Sequence, residues 1–261
     1  MTAITRAVSP TIANCELTYL EREAIDLACA REQHRAYEAC LAELDVRVIS
    51  LPAEPQYPDA VFVEDAAIVL DEIAVMTRLG AESRRGESAS LARALEPYRP
   101  LRWLREPATL DGGDVMLAGK TLFVGVTARS NAAGIAQLAT AVEPFGYRIC
   151  PVAVRGCLHL KSACSYIGDA VLLHRPWVDE TAFAGVRLVD VPEECGANVL
   201  LVEDTVLVSA AAPRTAELLR RMGRQVRLLD NSELTKAEGA LTCCSLILTA
   251  AEPRLSRSRR L

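Results

Sequence analysis

Hydrophobic and polar positions follow one local pattern over residues 59–104 and repeat it along the chain. The stretch DAVFVEDAAIVLDEIAVMTR holds two β-branched runs, typical of strands, on either side of an acidic turn. In the SASLARAL that follows, Ser88 suits a helix N-cap, and Leu91 and Leu95 lie four apart on one helical face. LRWL is then typical of a third strand. The predicted unit is strand, turn, strand, helix, strand.

Further units have the same order of elements. The second begins at LDGGDVMLAGKTLFVGV and ends at YRICPV, the third begins at LHLKSACSYIGDAVLLH and ends at VRLVDV, and the fourth comprises GANVLLVEDTVLVSA and the helix PRTAELLRRMG. In that helix Pro213 suits the first turn, and Gly223 suits the position after the helix end. The fifth unit is divided between the termini. LTCCSLIL supplies one strand, ITRAVSP the second, an amphipathic helix runs to about residue 44, and VRVISL closes the unit.

The N-terminal helix is predicted to turn one apolar face toward the core, carrying Leu20, Ala24, Leu27, Tyr37, Leu41 and Leu44. A chain whose last strand completes its first unit is expected to close into a ring, which removes the strand edges of an open sheet. We therefore expect a single α/β domain over residues 1–261, built of five ββαβ units around a pseudo-fivefold axis. An open α/β sheet is the alternative. The basic stretch at about 253–261 is expected to be disordered.

Composition adds limits on partners and location. The net charge of −5 argues against nucleic acid and anionic membranes as partners and tolerates a cationic small ligand. No run approaches the roughly 18 apolar residues of a membrane span, and MTAITRAVSP lacks the apolar core of a secretory signal, so we expect a cytoplasmic protein. Nine cysteines without a CxxC, beside three histidines, favour free thiols over disulfides or a structural metal site.

Mostly polar residues occupy equivalent positions in the five units, where the strands of a closed ring would converge. They are Asp59, Phe62, Glu64, Asp65, Asp111, Asp114, His159, Lys161, Asn198 and Cys243. Carboxylates near a common centre repel one another unless a cation lies between them, and each can accept two N–H donors of a guanidinium. The guanidinium carbon is electron-poor, so a Cys243 thiolate could attack it while His159 protonates the leaving amine and later activates water.

Several of these residues also have a simpler interpretation. A cysteine is most often a small buried apolar residue. That is our expectation for Cys244, which should lie on the opposite face of its strand from Cys243 because neighbours in a strand alternate. His34, midway along a helix, is expected at the surface. Arg84, within ESRRGE, could serve only to keep a loop solvated.

The motifs DAVFVED, TRLGAESRRGE, LDGGDV, ARSN, LHLKS, PRT and LTCCS occur in this order over essentially the whole chain. In them the chain resembles the dimethylarginine dimethylaminohydrolase family, within the superfamily of guanidino-modifying enzymes. The resemblance implies the pentein fold, a five-bladed α/β propeller. It implies Cys243 as the nucleophile, His159 as the general acid and base, and Asp111 as the carboxylate that orients the histidine. The implied substrate-binding residues are Asp59, Phe62, Glu64, Asp65, Arg84 and Arg129, of which the two arginines would hold the substrate's α-carboxylate.

The reaction implied is hydrolysis of Nω-methylated arginine, either asymmetric dimethylarginine or monomethylarginine, to citrulline and a methylamine through a covalent S-alkylthiouronium intermediate. A small guanidino substrate is the implied partner, with no cofactor and no metal, and the family's bacterial dimers suggest a homodimer. Leu79 stands where some relatives have proline, and Asp111 where some have glutamate, which leaves substrate choice open. Two alternatives remain, a deiminase of arginine or another guanidino compound, and a non-catalytic thiol sensor or binding protein on the same fold.

Overall fold

The computed structural model describes residues 1–249, so the basic stretch at about 253–261 lies outside the described residues. Within residues 1–249 the chain forms fifteen strands. They are β1 (Thr2–Arg6), β2 (Arg47–Leu51), β3 (Ala67–Val69), β4 (Ala74–Met76), β5 (Leu101–Trp103), β6 (Val115–Ala118), β7 (Thr121–Val126), β8 (Arg148–Ala153), β9 (Cys164–Tyr166), β10 (Val171–Leu173), β11 (Leu188–Asp190), β12 (Val199–Val202), β13 (Thr205–Ser209), β14 (Gln225–Leu229) and β15 (Leu246–Leu248).

The α-helices in the same part of the chain are α1 (Leu27–Glu43), α2 (Ser88–Leu95), α3 (Ala132–Val142), α4 (Leu160–Ala163), α5 (Pro213–Arg221) and α6 (Ser232–Thr235). Leu91 and Leu95 are both buried on α2, as their spacing predicts. Pro213 begins α5, and Gly223, just past its end, has φ 82° in the left-handed region that favours glycine. Among residues 1–249, no helix has both the length and the apolar character that crossing a bilayer requires.

The strands form five separate three-stranded sheets that share one topology. Their strand orders are β15-β1-β2, β3-β4-β5, β6-β7-β8, β9-β10-β11 and β12-β13-β14. In each sheet the middle strand is antiparallel to the first and parallel to the third. In the first sheet Ile4 pairs with both Leu246 and Ile49, so the two ends of the described chain share one sheet, as predicted. Five small sheets of this kind confirm the repeated unit, and the alternative of one open sheet is wrong.

Each sheet is joined to the next by a cluster of buried apolar side chains. Ile4 and Met76 belong to a cluster between the first and second sheets, and Val75 and Val124 to one between the second and third. Three more clusters join the third sheet to the fourth, the fourth to the fifth, and the fifth back to the first. The hydrophobic core is therefore divided into five parts that lie between sheets, and it drives the packing of sheet against sheet.

Helix α1 begins later than the sequence predicts. Asp26 caps it, because its Oδ1 accepts hydrogen bonds from the backbone N–H groups of Ala28 (2.9 Å) and Cys29 (3.1 Å). Leu20 and Ala24, predicted on its buried face, precede the helix and are exposed. The residues between Cys15 and the cap instead form an irregular segment.

The buried face of α1 includes His34, which was expected at the surface. His34 is only 3% exposed and lies on the same face as the buried Tyr37 and Leu41. The expectation was wrong because a histidine ring beside an aromatic residue one turn away can pack as an apolar surface. Tyr37 connects this face to the residue that precedes β15, since its hydroxyl lies 2.6 Å from Ser245 Oγ.

A short helical turn precedes the first strand of every sheet. The turns are Val63–Ala66, Gly112–Asp114, α4, Glu194–Ala197 and Thr242–Cys244. The sequence pattern predicts strands at these positions, but the strands begin only after the turns. Four of the five turns carry or adjoin the predicted catalytic and substrate-binding residues, so the repeat of the fold brings those residues to one place.

Candidate active site

His159 is held between two carboxylates. It precedes α4 and is buried, with its Nε2 3.0 Å from Asp111 Oδ2 and its Nδ1 3.8 Å from Asp65 Oδ1. Asp111 is fully buried and is itself fixed, because its Oδ1 accepts a hydrogen bond from the Gly80 N–H at 2.8 Å. The structure thus brings three predicted site residues together, from the turns of three different units.

Gly113 makes this close approach possible. A Cβ at this position would lie 2.6 Å from His159 Nδ1 and 2.7 Å from Asp65 Oδ1, closer than real Cβ contacts come. The Gly113 N–H also donates to Asp65 Oδ1 at 3.1 Å. The second glycine of LDGGDV therefore serves the packing of the imidazole rather than the binding of a phosphate.

The charges of the site favour the imidazolium form of His159. Burial lowers the pKa of His159, but the nearby carboxylates of Asp65, Asp111 and Asp114 outweigh it and raise the pKa to about 9. Burial raises the pKa of Asp65, but His159 and Arg84 outweigh it and hold that pKa below its usual value. At neutral pH the site therefore contains a protonated histidine beside the ionised carboxylate of Asp65.

Asp114 fixes the backbone next to the same histidine. Its Oδ2 accepts hydrogen bonds from the hydroxyls of Ser130 (2.5 Å) and Thr127 (2.6 Å), and its Oδ1 accepts one from the Leu160 N–H at 2.9 Å. Because Leu160 directly follows His159, Asp114 fixes the backbone that carries the imidazole. The repeat pattern in the sequence predicts Asp114 among the converging polar residues. It does not indicate that Ser130 and Thr127 are its hydrogen-bond donors.

Cys243 lies in the turn Thr242–Cys244, and its thiol is strongly disfavoured as an anion. Burial, with the charges of Glu64 and Asp65, raises the pKa of Cys243 to about 12. The turn is fixed by Thr242, whose Oγ1 donates to Glu64 Oε2 at 2.8 Å and whose N–H donates to Asn198 Oδ1 at 3.3 Å. The resting nucleophile candidate is therefore a neutral thiol beside carboxylates.

Cys244 is buried in the apolar cluster between the fifth and first sheets, which fits a structural residue. The prediction that it alternates with Cys243 across a strand is wrong. Both residues lie in the helical turn before β15, so strand alternation does not apply to them.

Glu64 pairs with Lys161 rather than facing the histidine. Lys161 Nζ lies 2.5 Å from Glu64 Oε1, and burial raises the pKa of Glu64. The pair borders a cavity of about 310 Å³ lined by residues from the first strands of all five sheets. The lining includes Ile68, Met116, Tyr166, Leu200 and Ile247.

Arg84 lies inside the carboxylate cluster. It is 4% exposed, with Nη1 2.9 Å from Asp65 Oδ2 and with Nε and Nη2 2.9 and 3.0 Å from the two carboxylate oxygens of Glu87. Burial lowers the pKa of Arg84, but Glu87 and Asp65 outweigh it and raise the pKa well above its usual value. Its donors are thus engaged by protein carboxylates and not directed at a free ligand. Glu87 was not among the predicted site residues, although its position three residues after Arg84 in ESRRGE is typical of an ion pair.

The guanidinium of Arg129 is buried and only partly hydrogen-bonded within the described residues. The residue is 8% exposed, and within residues 1–249 its buried Nη1 has no hydrogen-bond partner. Nη1 lies 3.8 Å from Asp111 Oδ2, and Nη2 donates to Thr18 Oγ1 at 3.0 Å. A buried and unsatisfied guanidinium nitrogen is costly unless an anion completes it, so Arg129 fits a site for a ligand carboxylate.

Asp59 and Phe62 line the same region. Asp59 is buried, which raises its pKa, and its Oδ2 accepts a hydrogen bond from the Glu16 N–H at 3.1 Å. Phe62 packs so closely on Gly239 that a Cβ there would lie 2.1 Å from its Cε1. Both residues therefore connect the predicted site to segments far away in sequence, residues 16–20 and 238–241.

The same geometry could hold a metal ion. Asp65, Asp111 and His159 each offer one donor atom, and these atoms lie within 4.8 Å of one another. The imidazolium of His159 already supplies a positive charge between the two carboxylates, and this accounts for their proximity.

The comparisons with known proteins identify the family. A family model described as "N,N dimethylarginine dimethylhydrolase, eukaryotic" matches residues 14–173, more than half of the chain. The N(G),N(G)-dimethylarginine dimethylaminohydrolase of Streptomyces coelicolor is 42% identical over 249 residues, which cover 94% of this chain and 96% of the relative. This chain belongs to the dimethylarginine dimethylaminohydrolase family.

Solved structures of dimethylarginine dimethylaminohydrolase have the same mixed α/β fold. The Pseudomonas aeruginosa protein, as a cysteine-to-serine mutant complexed with citrulline, matches with a TM-score of 0.89 and 32% identity over 94% of this chain and 98% of that one. A histidine-to-glycine dimethylarginine dimethylaminohydrolase, as an adduct with S-methyl-L-thiocitrulline, matches with a TM-score of 0.90 and 32% identity over the same shares. The family resemblance found in the sequence motifs is confirmed.

Proposed function

We propose that this protein hydrolyses Nω-methylated arginine to citrulline and a methylamine, with Cys243 as the nucleophile and His159 as the general acid and base. The observation that carries the proposal is the position of His159. Asp111 and Asp65 hold it at 3.0 and 3.8 Å, and Asp65 lies in the turn that packs against the turn of Cys243. The relative at 42% identity, named as a dimethylarginine dimethylaminohydrolase, supports the reaction class.

The first half of the reaction forms a covalent intermediate. The cationic guanidinium of the substrate offsets the carboxylate charges that keep Cys243 protonated, so the thiol releases its proton to solvent when the substrate binds. The thiolate attacks the guanidinium carbon and forms a C–S bond. The methylamine then leaves with the proton of the His159 imidazolium, which gives an S-alkylthiouronium and a neutral histidine.

The second half consumes one water. Neutral His159 accepts a proton from the water as its oxygen attacks the thiouronium carbon, and the C–S bond breaks to release citrulline. The sulfur leaves as a thiolate and takes up the second proton of the water, which restores the neutral thiol, and His159 ends as the imidazolium with which it began. Asp111 is proposed to keep the ring oriented through both halves, since its Oδ2 lies 3.0 Å from Nε2.

For substrate binding, we propose that Asp65, Glu64, Asp59 and Phe62 line the pocket and that Arg129 holds the α-carboxylate. The unpartnered Nη1 of Arg129, within the described residues, supports this last role. The proposed role of Arg84 in holding the same carboxylate stays a prediction. Its bonds to Asp65 and Glu87 require that one of them be exchanged for a bond to the substrate.

We propose further that the five sheets form one closed five-bladed propeller within a single catalytic domain. The apolar clusters that join each sheet to the next, including the fifth to the first, support this arrangement. The cavity lined by the first strands of all five sheets would then lie on the axis. The expected cytoplasmic location and the homodimer stay predictions.

Citrulline release tests the proposed function. The protein is incubated with asymmetric dimethylarginine, with monomethylarginine and with arginine, and citrulline is measured. We expect product from the methylated substrates, loss of at least about 1,000-fold in kcat for Cys243→Ser, because the nucleophile is removed, and near-normal activity for the matched control Cys244→Ser. Product from arginine alone would indicate a deiminase. No product from any of them, with ligand still bound, would indicate the binding protein.

A further inference from the structure

Residues 15–26, between the turn Ile12–Asn14 and α1, contain neither helix nor strand. We call residues 16–20 within this stretch the strap. It is hydrogen-bonded to two of the predicted substrate-binding residues. The Glu16 N–H donates to Asp59, and the Thr18 hydroxyl accepts from Arg129. The strap therefore contacts the predicted site at Asp59 and Arg129, although its residues are largely exposed.

One carboxylate holds the strap. Glu238 accepts hydrogen bonds from three consecutive backbone N–H groups, those of Thr18 (3.0 Å), Tyr19 (2.5 Å) and Leu20 (2.7 Å). Charge-assisted bonds of this kind are roughly twice as strong as neutral ones. Without Glu238 these three donors have no other hydrogen-bond acceptor among residues 1–249.

The backbone of Glu238 is adapted to this task. Glu238 has φ 56°, in the left-handed region that residues other than glycine seldom adopt. It lies in the turn that follows α6, three residues after the end of that helix, and it comes five residues before Cys243. A strained backbone is retained only where surrounding contacts enforce it, and here the enforced position turns the side chain toward the strap.

The strap in turn sets Arg129. Thr18 is bonded through its N–H to Glu238 and through its Oγ1 to Arg129 Nη2, at 3.0 Å in both cases. With Nη2 engaged by Thr18 and Nη1 near Asp111, the plane of the guanidinium is fixed and the buried Nη1 is left without a hydrogen-bond partner among the described residues.

We infer that Glu238 is a positioning residue for substrate recognition: through the three strap N–H groups and the Thr18 hydroxyl it orients Arg129 toward the substrate's α-carboxylate. Glu238 then acts on the end of the substrate that does not react. Its loss weakens binding of ligands that carry an α-carboxylate and leaves binding of ligands without one unchanged. The inference rests on the proposed function, since it assumes that Arg129 meets a substrate carboxylate.

The chain offers a matched control. Glu233, on α6, accepts a hydrogen bond from the Asp26 N–H at 2.8 Å, at the far end of the same irregular stretch. Like Glu238, it joins a carboxylate to a backbone N–H of residues 15–26, but it does not touch the strap or Arg129. Glu233→Ala tests whether loosening residues 15–26 in general is enough to weaken the binding of ligands that carry an α-carboxylate.

Binding is measured in a Cys243→Ser background, where turnover cannot interfere, by calorimetry with two ligands, monomethylarginine and its decarboxylated analogue N-methylagmatine. We expect Glu238→Ala to weaken the binding of monomethylarginine at least about 10-fold, because a charge-assisted contact is lost. The affinity for N-methylagmatine should change little. Glu233→Ala should change neither. Glu238→Gln keeps one acceptor oxygen, so its affinity for monomethylarginine should lie between those of the wild type and Glu238→Ala. Thermal unfolding of Glu238→Gln shows whether the fold is kept.

A second variant tests the chain of contacts. Thr18→Val removes only the hydroxyl, so it should weaken monomethylarginine binding as Glu238→Ala does, and the double variant should lose little more than either single one. Equal weakening of both ligands by Glu238→Ala, or no weakening of either, would overturn the inference. Failure of the Cys243-containing protein to release citrulline would instead count against the proposed function, because the binding comparison does not depend on turnover.

Discussion

At Cys243, burial and the nearby carboxylates outweigh the charge of Lys161 and oppose the anion that the chemistry needs. Burial and the carboxylates of Glu64 and Asp65 raise the pKa of this thiol to about 12, while His159, whose pKa is about 9, already carries a proton. A histidine that is protonated at rest cannot deprotonate the thiol. In the proposed reaction, the cationic substrate is therefore the group that lowers the pKa of Cys243, and reactivity is confined to the complex.

This ionisation can be measured in the ligand-free protein. Because the thiolate fraction rises about tenfold per pH unit below the pKa, alkylation of Cys243 by iodoacetamide should accelerate about tenfold per unit between about pH 7 and pH 10, without a plateau. Mass spectrometry of the modified Cys243 peptide gives the rate, and Cys243→Ser supplies the background from the other thiols. A rate already at its plateau at neutral pH would show an ionised resting thiol and contradict this expectation.

At the same scale, the sequence motifs predict the residues of the candidate site but not all of the contacts that these residues make. Arg84 was recognisable in ESRRGE, yet its engagement by Glu87 and Asp65 depends on how a loop folds back onto a turn some twenty residues earlier. The contact of Glu238 with residues 18–20 joins positions more than 200 residues apart. Such contacts follow from the tertiary fold and leave no periodic signal in one sequence.

Among the elements, the helical turns before the first strands decide how the site is assembled. Sequence analysis assigned these positions to strands, because a turn of three or four residues is too short to show helical spacing among β-branched neighbours. The consequence was a wrong geometry for Cys243 and Cys244. The longer elements were predicted better, since α2, α5 and the paired strands each extend over a full repeat of their apolar pattern.

The turn Gly112–Asp114 provides a test of this assembly. In Gly113→Ala the new methyl group would overlap His159 Nδ1 and Asp65 Oδ1, so the imidazole must shift. We expect kcat for monomethylarginine to fall about 100-fold or more, with a loss of stability of about 1–3 kcal/mol. Steady-state kinetics and urea unfolding measure the two effects.

Gly119→Asn is the matched control for this substitution. Gly119 lies in the β6–β7 turn of the same sheet with φ 59°, and nothing lies within 4 Å of a Cβ placed there. Asparagine tolerates the left-handed region, so activity should be retained. Wild-type kcat in Gly113→Ala would mean that the packing around His159 is not what orients it.

For the molecule as a whole, the buried site links stability to pH. His159 has a pKa of about 9 in the fold, against about 6.5 when unfolded, so its proton is bound more tightly by the folded chain. Its contribution to the free energy of unfolding is complete below about pH 6.5 and is lost as the pH rises through about 9.

We therefore expect the wild-type protein to lose up to about 3 kcal/mol of unfolding free energy over this interval, from the shift of about 2.5 pKa units. Urea unfolding at about pH 6 and about pH 9.5 measures the loss. His159→Gln, which cannot titrate, should show a correspondingly smaller decrease. The same decrease in both proteins would place the linkage in other groups.

The repeated ββαβ unit was predictable at this scale because each unit carries its own alternation of apolar residues, and the sharing of one sheet by both ends followed from counting units. The division of the core into five clusters between sheets was not predictable, since one sequence does not say which face of a strand meets which neighbour.

The pairing of β1 with β15 has a consequence for biosynthesis. During translation Asp65, Asp111 and His159 leave the ribosome first. At that stage β15 and Cys243 have not yet been synthesised, so the first sheet still lacks a strand. The proposed nucleophile, Cys243, is thus the last of the predicted site residues to leave the ribosome, and it does so together with β15, the strand that completes the first sheet. In the proposed reaction, a nascent polypeptide therefore cannot act on its substrate before Cys243 and β15 have been synthesised.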